Sequence, residues 1–140
     1  MMRLAGRVFK TGRYWAIEVP ILGIVTQGYT KKEAYEMILD AIGSLVNKKG
    51  FKVEVFPGKD HYFEVGSPDL ATLIAFLLRR QRMKRGLTLM EVSQRLGAKS
   101  LNTYARYEQG KSIPTLEKFS QLMAALSLDN DFVLTESQTG

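Results

Sequence analysis

The stretch Gly86-Leu87-Thr88-Leu89-Met90-Glu91-Val92-Ser93-Gln94-Arg95-Leu96-Gly97-Ala98-Lys99-Ser100-Leu101-Asn102-Thr103-Tyr104-Ala105-Arg106-Tyr107-Glu108-Gln109-Gly110 decides how this chain is read. It holds two short helical patterns separated by a glycine. Thr88 to Glu91 has the spacing of a capping box, in which the hydroxyl takes an orphan amide proton and the carboxylate reaches back to the cap. Val92 and Leu96 supply its buried positions, and Gly97 supplies the tight turn. The second pattern runs from about Ser100 to Gln109, with Leu101, Tyr104 and Tyr107 inward and Gly110 as its stop. Upstream, Leu70, Leu73, Ile74 and Leu77 mark one face of a helix reaching about Lys84, ended by Gly86. Downstream, Pro114-Thr115 opens another, with Leu116, Phe119, Leu122, Met123 and Leu126 as its apolar stripe. Four helices in this order form an all-α unit.

Before this unit the hydrophobic period is two rather than 3.6. Leu4 to Phe9 and Tyr14 to Val19 read as strands joined by a hairpin at Lys10-Thr11-Gly12-Arg13. Pro20-Ile21-Leu22-Gly23 breaks the pattern, and Ile24-Val25-Thr26 resumes it until Gly28. Thr30-Lys31-Lys32-Glu33 is a second capping-box pattern, followed by Ala34, Ile38, Ala41, Ile42 and Leu45 at helical spacing. Phe51 to Phe56 and His61 to Val65 alternate around Pro57-Gly58-Lys59-Asp60, a second hairpin. The fold class is therefore α+β, with the order β-β-β-α-β-β followed by helices. The cluster Gly66-Ser67-Pro68-Asp69 separates a domain of residues 1–66 from one of residues 67–140. Glu136 to Gly140 reads as a frayed tail.

Composition narrows the chemistry. The chain has 140 residues with 45% hydrophobic and 24% charged side chains, and 20 basic against 14 acidic groups leave it at +6. With no cysteine and a single histidine, disulfides, thiolate zinc sites, cysteine catalysis and two-histidine metal sites are all excluded. We expect no cofactor and no metal. The acids of residues 1–66 fall mostly on exposed alternations without a nucleophile–base pair, so no catalytic residue is expected. His61 reads as a surface or hydrogen-bonded histidine, and Trp15 as core. No apolar run approaches the roughly 20 residues of a membrane span, and no signal-peptide core is visible, so a soluble cytoplasmic protein without a membrane partner is expected. Each half carries 10 basic and 7 acidic groups, yet Arg79, Arg80, Arg82, Lys84, Arg85, Arg95, Lys99 and Arg106 face only Glu91, a local +7. Such a run is either a solvated helix face or a polyanion footprint.

Two short helices joined by a glycine turn and framed by longer ones follow the helix-turn-helix plan. Gly86-Leu87-Thr88, Arg95-Leu96-Gly97, Tyr107-Glu108-Gln109-Gly110-Lys111 and Pro114-Thr115-Leu116 resemble the phage-repressor (XRE, Cro/cI) type of that domain over about Leu70 to Leu128. One extra residue falls in Ala98-Lys99-Ser100. The resemblance implies that the helix after Gly97 enters the major groove of operator DNA. Its outward positions are Ser100, Asn102, Thr103 and Arg106, preceded by Lys99 and followed beyond Gly110 by Lys111. Asn pairs bidentately with adenine, Arg with guanine, and Lys with phosphate. Thr88 sits at a helix start, where a cap and a phosphate contact are both available readings.

In the first half, Tyr14-Trp15-Ala16-Ile17-Glu18-Val19 and Pro20-Ile21-Leu22-Gly23-Ile24-Val25-Thr26-Gln27-Gly28-Tyr29-Thr30-Lys31-Lys32-Glu33-Ala34 resemble the signature of HicB-type antitoxins. That family joins a small partial RNase H-like domain to a DNA-binding tail. Ser100 to Glu108, extra residue included, is similar to the family's helix-turn-helix. The resemblance implies an antitoxin that masks a HicA-type mRNA-cleaving toxin and represses its own operon. A repressor whose first half senses a small ligand, or a single-stranded nucleic-acid enzyme or chaperone, are the competing classes. A homodimer or dimer of dimers is expected because one recognition helix reads only a few base pairs. Leu126-Ser127-Leu128 and Phe132-Val133-Leu134 are candidate contacts between copies or packing within one subunit.

Overall fold

The computed structural model describes residues 1–139. The chain divides into two compact units, Met1–Asp69 together with the residues from Glu136 onward, and Leu70–Thr135. In the first, β1 (Arg3–Thr11), β2 (Tyr14–Val19), β3 (Ile24–Gly28), β4 (Glu54–Pro57) and β5 (Tyr62–Gly66) form one antiparallel sheet in the order β3-β2-β1-β5-β4. The two-residue turn between β1 and β2 has Gly12 at φ 59, the position where a hairpin turn favours glycine. Pro20–Leu22 forms one turn of 3-10 helix whose C-cap, Gly23, is left-handed at φ 62. That corner reverses the chain into β3.

Alternation along β1 sends Leu4, Gly6 and Val8 to the buried face, with Val65 and Phe63 paired to Leu4 and Gly6. The helix α1 (Lys31–Val46) meets this face, and its Tyr35 ring stands edge-on to Phe63 at 5.6 Å. Thr30 caps it by accepting the Glu33 amide at 3.0 Å. Ala34, Ile38 and Ile42 are buried as the periodicity requires. Leu45, expected in the same stripe, is 44% exposed in the helix's final turn. At Gly6 any side chain would collide with the Phe63 ring. Gly6→Ala is therefore expected to cost about 1–3 kcal/mol, the usual penalty of overpacking, read as a lower urea midpoint.

Four expectations are corrected in this unit. The strand expected over Phe51 to Phe56 begins only at Glu54, because Glu54 pairs with Gly66, the last residue of β5, and earlier residues have no partner strand. Trp15 is half-buried rather than core, and the Lys31 ammonium lies 5.8 Å from its ring centroid. The tail is not frayed. Glu64, expected on an exposed alternation, is 3% exposed, and residues 137–139 return to it. Its carboxylate accepts from Ser137 Oγ at 2.6 Å, the Tyr62 hydroxyl at 2.7 Å, the Gln138 amide at 2.9 Å and Arg3 at 3.2 Å. A buried carboxylate without these donors would carry a severe desolvation cost, and they explain why residues 137–139 are held in place.

Burial alone would raise the Glu64 pKa, but the hydrogen bonds from Ser137, Tyr62, Gln138 and Arg3 outweigh it and bring the group from the usual 4.5 down to about 2. Burial, and after it the hydrogen bond to the Glu64 carboxylate, pushes the Tyr62 phenol up to about 12. A depressed carboxylate stabilises the fold above its unfolded pKa and stops doing so once protonated. The stability Glu64 contributes should be complete above pH 4.5 and disappear as pH falls toward 2. Urea titrations at stepped pH should show wild type losing on the order of 2 kcal/mol more than Glu64→Gln across that window. Equal losses would remove Glu64 as the cause.

His61 lies in the turn before β5, with Nδ1 3.1 Å from the Val8 carbonyl while its own carbonyl accepts the Val8 amide at 2.9 Å. A carbonyl only accepts, so Nδ1 carries the proton.

The second unit is helical: α2 (Leu70–Lys84), α3 (Leu89–Arg95), α4 (Leu101–Glu108) and α5 (Leu116–Leu126). Its core gathers Leu73, Leu77 and Leu78 of α2 with Val92, Tyr104, Leu122 and Leu126. Leu101 and Leu116, both expected inward, are 44% and 82% exposed. Each is the first residue of its helix, and side chains lean toward the helix N-terminus, so a first-position residue overhangs the end of the packed surface. Leu70, first in α2, is exposed for the same reason. No helix among the described residues is long and apolar enough to cross a membrane.

Candidate nucleic-acid interface

The turn between α3 and α4 is built as its residue types demand. The Thr88 hydroxyl accepts the Glu91 amide at 3.1 Å while the Glu91 carboxylate accepts the Thr88 amide at 3.2 Å, a complete capping box. The Thr88 hydroxyl also donates to Glu91, so this side chain is occupied as a cap. Gly97 takes φ 67, a conformation that costs a β-carbon-bearing residue about 1 kcal/mol or more. The Gly97 and Ala98 amides bond back to Gln94 and Ser93, closing the end of α3. Ser100 then caps α4 by accepting the Asn102 amide at 3.2 Å.

What α4 presents follows from its buried side. Tyr104 and Ala105 are buried, which leaves Asn102, Thr103 and Arg106 exposed, with Lys99 and Ser100 exposed just before the helix. At 100° per residue, 102, 103 and 106 fall within an arc of roughly 100°, and Lys99 precedes the helix, before its extended cap Ser100. Lys111 is exposed just past the helix, and its amide bonds the Arg106 carbonyl at 3.1 Å. The side chains of Lys99, Asn102, Thr103, Arg106 and Lys111 make no hydrogen bond or ion pair with other described residues. Thr88 stands apart from this arc, at the start of α3.

The basic block, by contrast, is divided. Arg82 makes a two-pronged ion pair with Glu108, Nε to Oε2 at 2.8 Å and Nη2 to Oε1 at 3.1 Å, and donates from Nη1 to the Leu87 carbonyl at 2.9 Å. The pair ties the last turn of α2 to the last turn of α4, and both side chains are largely covered, at 18% and 6% exposed. The hydrogen bonds to Glu108 raise the Arg82 pKa against the opposing effect of burial. Tyr104 is raised too, first by burial and then by the Glu108 carboxylate, so the phenol under this pair stays neutral. Arg95 Nη1 donates to the Ala125 carbonyl at 3.0 Å and Arg85 Nη2 to Ser127 Oγ at 2.7 Å, both at the C-terminal end of α5 where cations are favoured. Three cations of the sequence's +7 stretch thus hold the unit together.

The Arg82–Glu108 pair was not read from the sequence, since its members lie 26 residues apart. One signal was present. Glu108 follows Tyr104 by four residues, which places a carboxylate on the inward stripe, where it needs a cation.

Comparison with known families agrees with this geometry. Residues 78–129, from the later part of α2 to just past α5, match the model of a helix-turn-helix family. The second unit carries a helix-turn-helix domain, the class of fold associated with DNA-binding regulators of transcription. No curated protein matches the chain.

Proposed function

We propose that this chain is an antitoxin and autorepressor of the HicB type, without enzymatic activity, which acts in the cytoplasm. Its second domain reads operator DNA through α4, while its first masks a HicA-type mRNA-cleaving toxin. The observation that carries the DNA half is the exposed set Lys99, Asn102, Thr103 and Arg106, whose side chains have no hydrogen-bond or ion-pair partner among the described residues. Ser100 positions the arc as its cap, Lys111 adds a phosphate contact at its far end, and Thr88 acts mainly by fixing the start of α3.

Support for the masking half is the way Pro20 to Ala34 folds. Its Pro-x-Leu-Gly becomes the 3-10 corner, Thr26 to Gly28 the end of β3, and Thr30 to Ala34 the capped start of α1. The strand-strand-strand-helix-strand-strand order is that of the partial RNase H-like domain the resemblance implies. Two copies are required for two half-sites. Leu128, Val133 and Leu134, 70%, 83% and 94% exposed, are available to join them, whereas Leu126 and Ser127 are buried.

The test is co-expression with the neighbouring reading frame. The full chain should pull down a small basic ribonuclease, restore growth to cells expressing it, and shift operator DNA in a gel. Operator binding without any protection would leave a repressor and remove the antitoxin reading.

A further inference from the structure

The first unit's sheet has two unequal faces. One is covered by α1, while the face carrying Ala5, Tyr62 and Glu64 has no helix of that unit upon it. The covering at Glu64 comes from an extended piece of chain. Ser137 Oγ and Thr139 Oγ1 reach Glu64 Oε1 at 2.6 and 3.3 Å, and the amide of Gln138 between them reaches Oε2 at 2.9 Å. Arg3 completes the contact from the other side, with Nη1 3.0 Å from Thr139 Oγ1 and 3.4 Å from Ser137 Oγ. The Arg3 guanidinium is itself held 3.5 Å above the Phe56 ring. Gly58 packs against Tyr62 and Thr139 together: a β-carbon there would lie 3.0 Å from the Tyr62 ring, 3.1 Å from the Tyr62 carbonyl oxygen and 3.3 Å from the Thr139 methyl.

These groups recognise a pattern rather than a bulk. A carboxylate is matched to two hydroxyls and one backbone amide, and a guanidinium to the same two hydroxyls. The segment that satisfies them is separated from Glu64 by more than 70 residues of chain, and between the end of α5 and Ser137 it has no helix or strand to hold it in place. Order at the tail must therefore come from the site that receives it.

We propose that Glu64, Arg3, Tyr62, Phe56 and Gly58 form a peptide-binding site of the Ser-x-Thr class, and that the chain's own residues 137–139 are its ligand in cis, a releasable latch. Tethering through a linker of about ten residues gives an effective concentration of order millimolar, so the latch is closed if the free segment binds with a Kd of about a millimolar or below. A latch of that strength opens without unfolding either unit.

The test uses the full chain in three forms: wild type, Glu64→Gln, and Ser137→Ala with Thr139→Val. The double variant changes only the tail, so its sheet folds as in the parent and circular dichroism provides the check. Carboxypeptidase should trim the tail about tenfold or more faster in both variants than in wild type, from the loss of two or more hydrogen bonds to a buried carboxylate. A synthetic peptide with the sequence of residues 134–140 should then bind the double variant, shifting the Tyr62 and Glu64 amide resonances, with a Kd of about a millimolar or tighter. The same peptide carrying the two tail substitutions should not bind. Trimming at the wild-type rate in the double variant, or no shift with the wild-type peptide up to about ten millimolar, would overturn the site.

Discussion

Glu108→Ala should unfold the helix-turn-helix unit at far lower urea than the parent. The substitution strands the Arg82 guanidinium, 18% exposed, beside the neutral and fully buried Tyr104. Breaking one half of a buried ion pair costs about 3–5 kcal/mol, because the remaining charge stays desolvated without a partner. A unit of this size has only a small margin above unfolding, so most operator affinity should go with it. The double replacement Arg82→Met with Glu108→Leu separates charge from shape. It removes both ions and should recover most of the stability, since apolar groups of similar volume replace buried pairs at little cost. Measured by urea denaturation, a loss under about 1 kcal/mol for Glu108→Ala would mean the pair behaves as an exposed bridge.

Arg106→Ala and Asn102→Ala should each narrow the gap between operator and random duplex by about 1–3 kcal/mol, as expected for bidentate contacts to guanine and adenine. Neither side chain holds the fold, since both are exposed and without partners among the described residues, so stability should change by less than about 0.5 kcal/mol. Lys99→Ala and Lys111→Ala should weaken both duplexes alike and flatten the salt dependence, the signature of a phosphate contact. Fluorescence anisotropy on both duplexes at two salt concentrations reads all four. An unchanged ratio of specific to nonspecific binding in Arg106→Ala would place the reading face elsewhere on the unit.

The two predictions differ in how far ahead of the structure they could be made. The reading face follows from helical phase alone. Once Tyr104 is inward, Asn102, Thr103 and Arg106 must be outward, and the caps at Thr30 and Thr88 follow from side chains that bond an amide within three residues. Where phase was trusted at helix ends it failed, at Leu70, Leu101 and Leu116, because angle says nothing of whether a neighbour extends that far. Strand length failed in the same way at Phe51, since the limit is set by the partner strand β5.

Net charge was the least informative quantity. Arg82, Arg85 and Arg95 look identical to Lys99 and Arg106 in a count, yet the first three cross-link helices and the last two face solvent. A cation's role depends on what lies across the gap, and that is decided by packing.

The sequence by itself determined the elements, their order and the exposed side of α4, because each rests on interactions between residues a few positions apart or on a period of two or 3.6. Only the tertiary structure decided that Glu108 belongs to Arg82 and that Glu64 is buried beneath the returning tail. Those pairs are 26 residues apart for the first and 73 to 75 for the tail contacts. No local pattern encodes which distant group will arrive, because the partner is chosen by the shape of the whole unit and by the cost of leaving a buried charge alone.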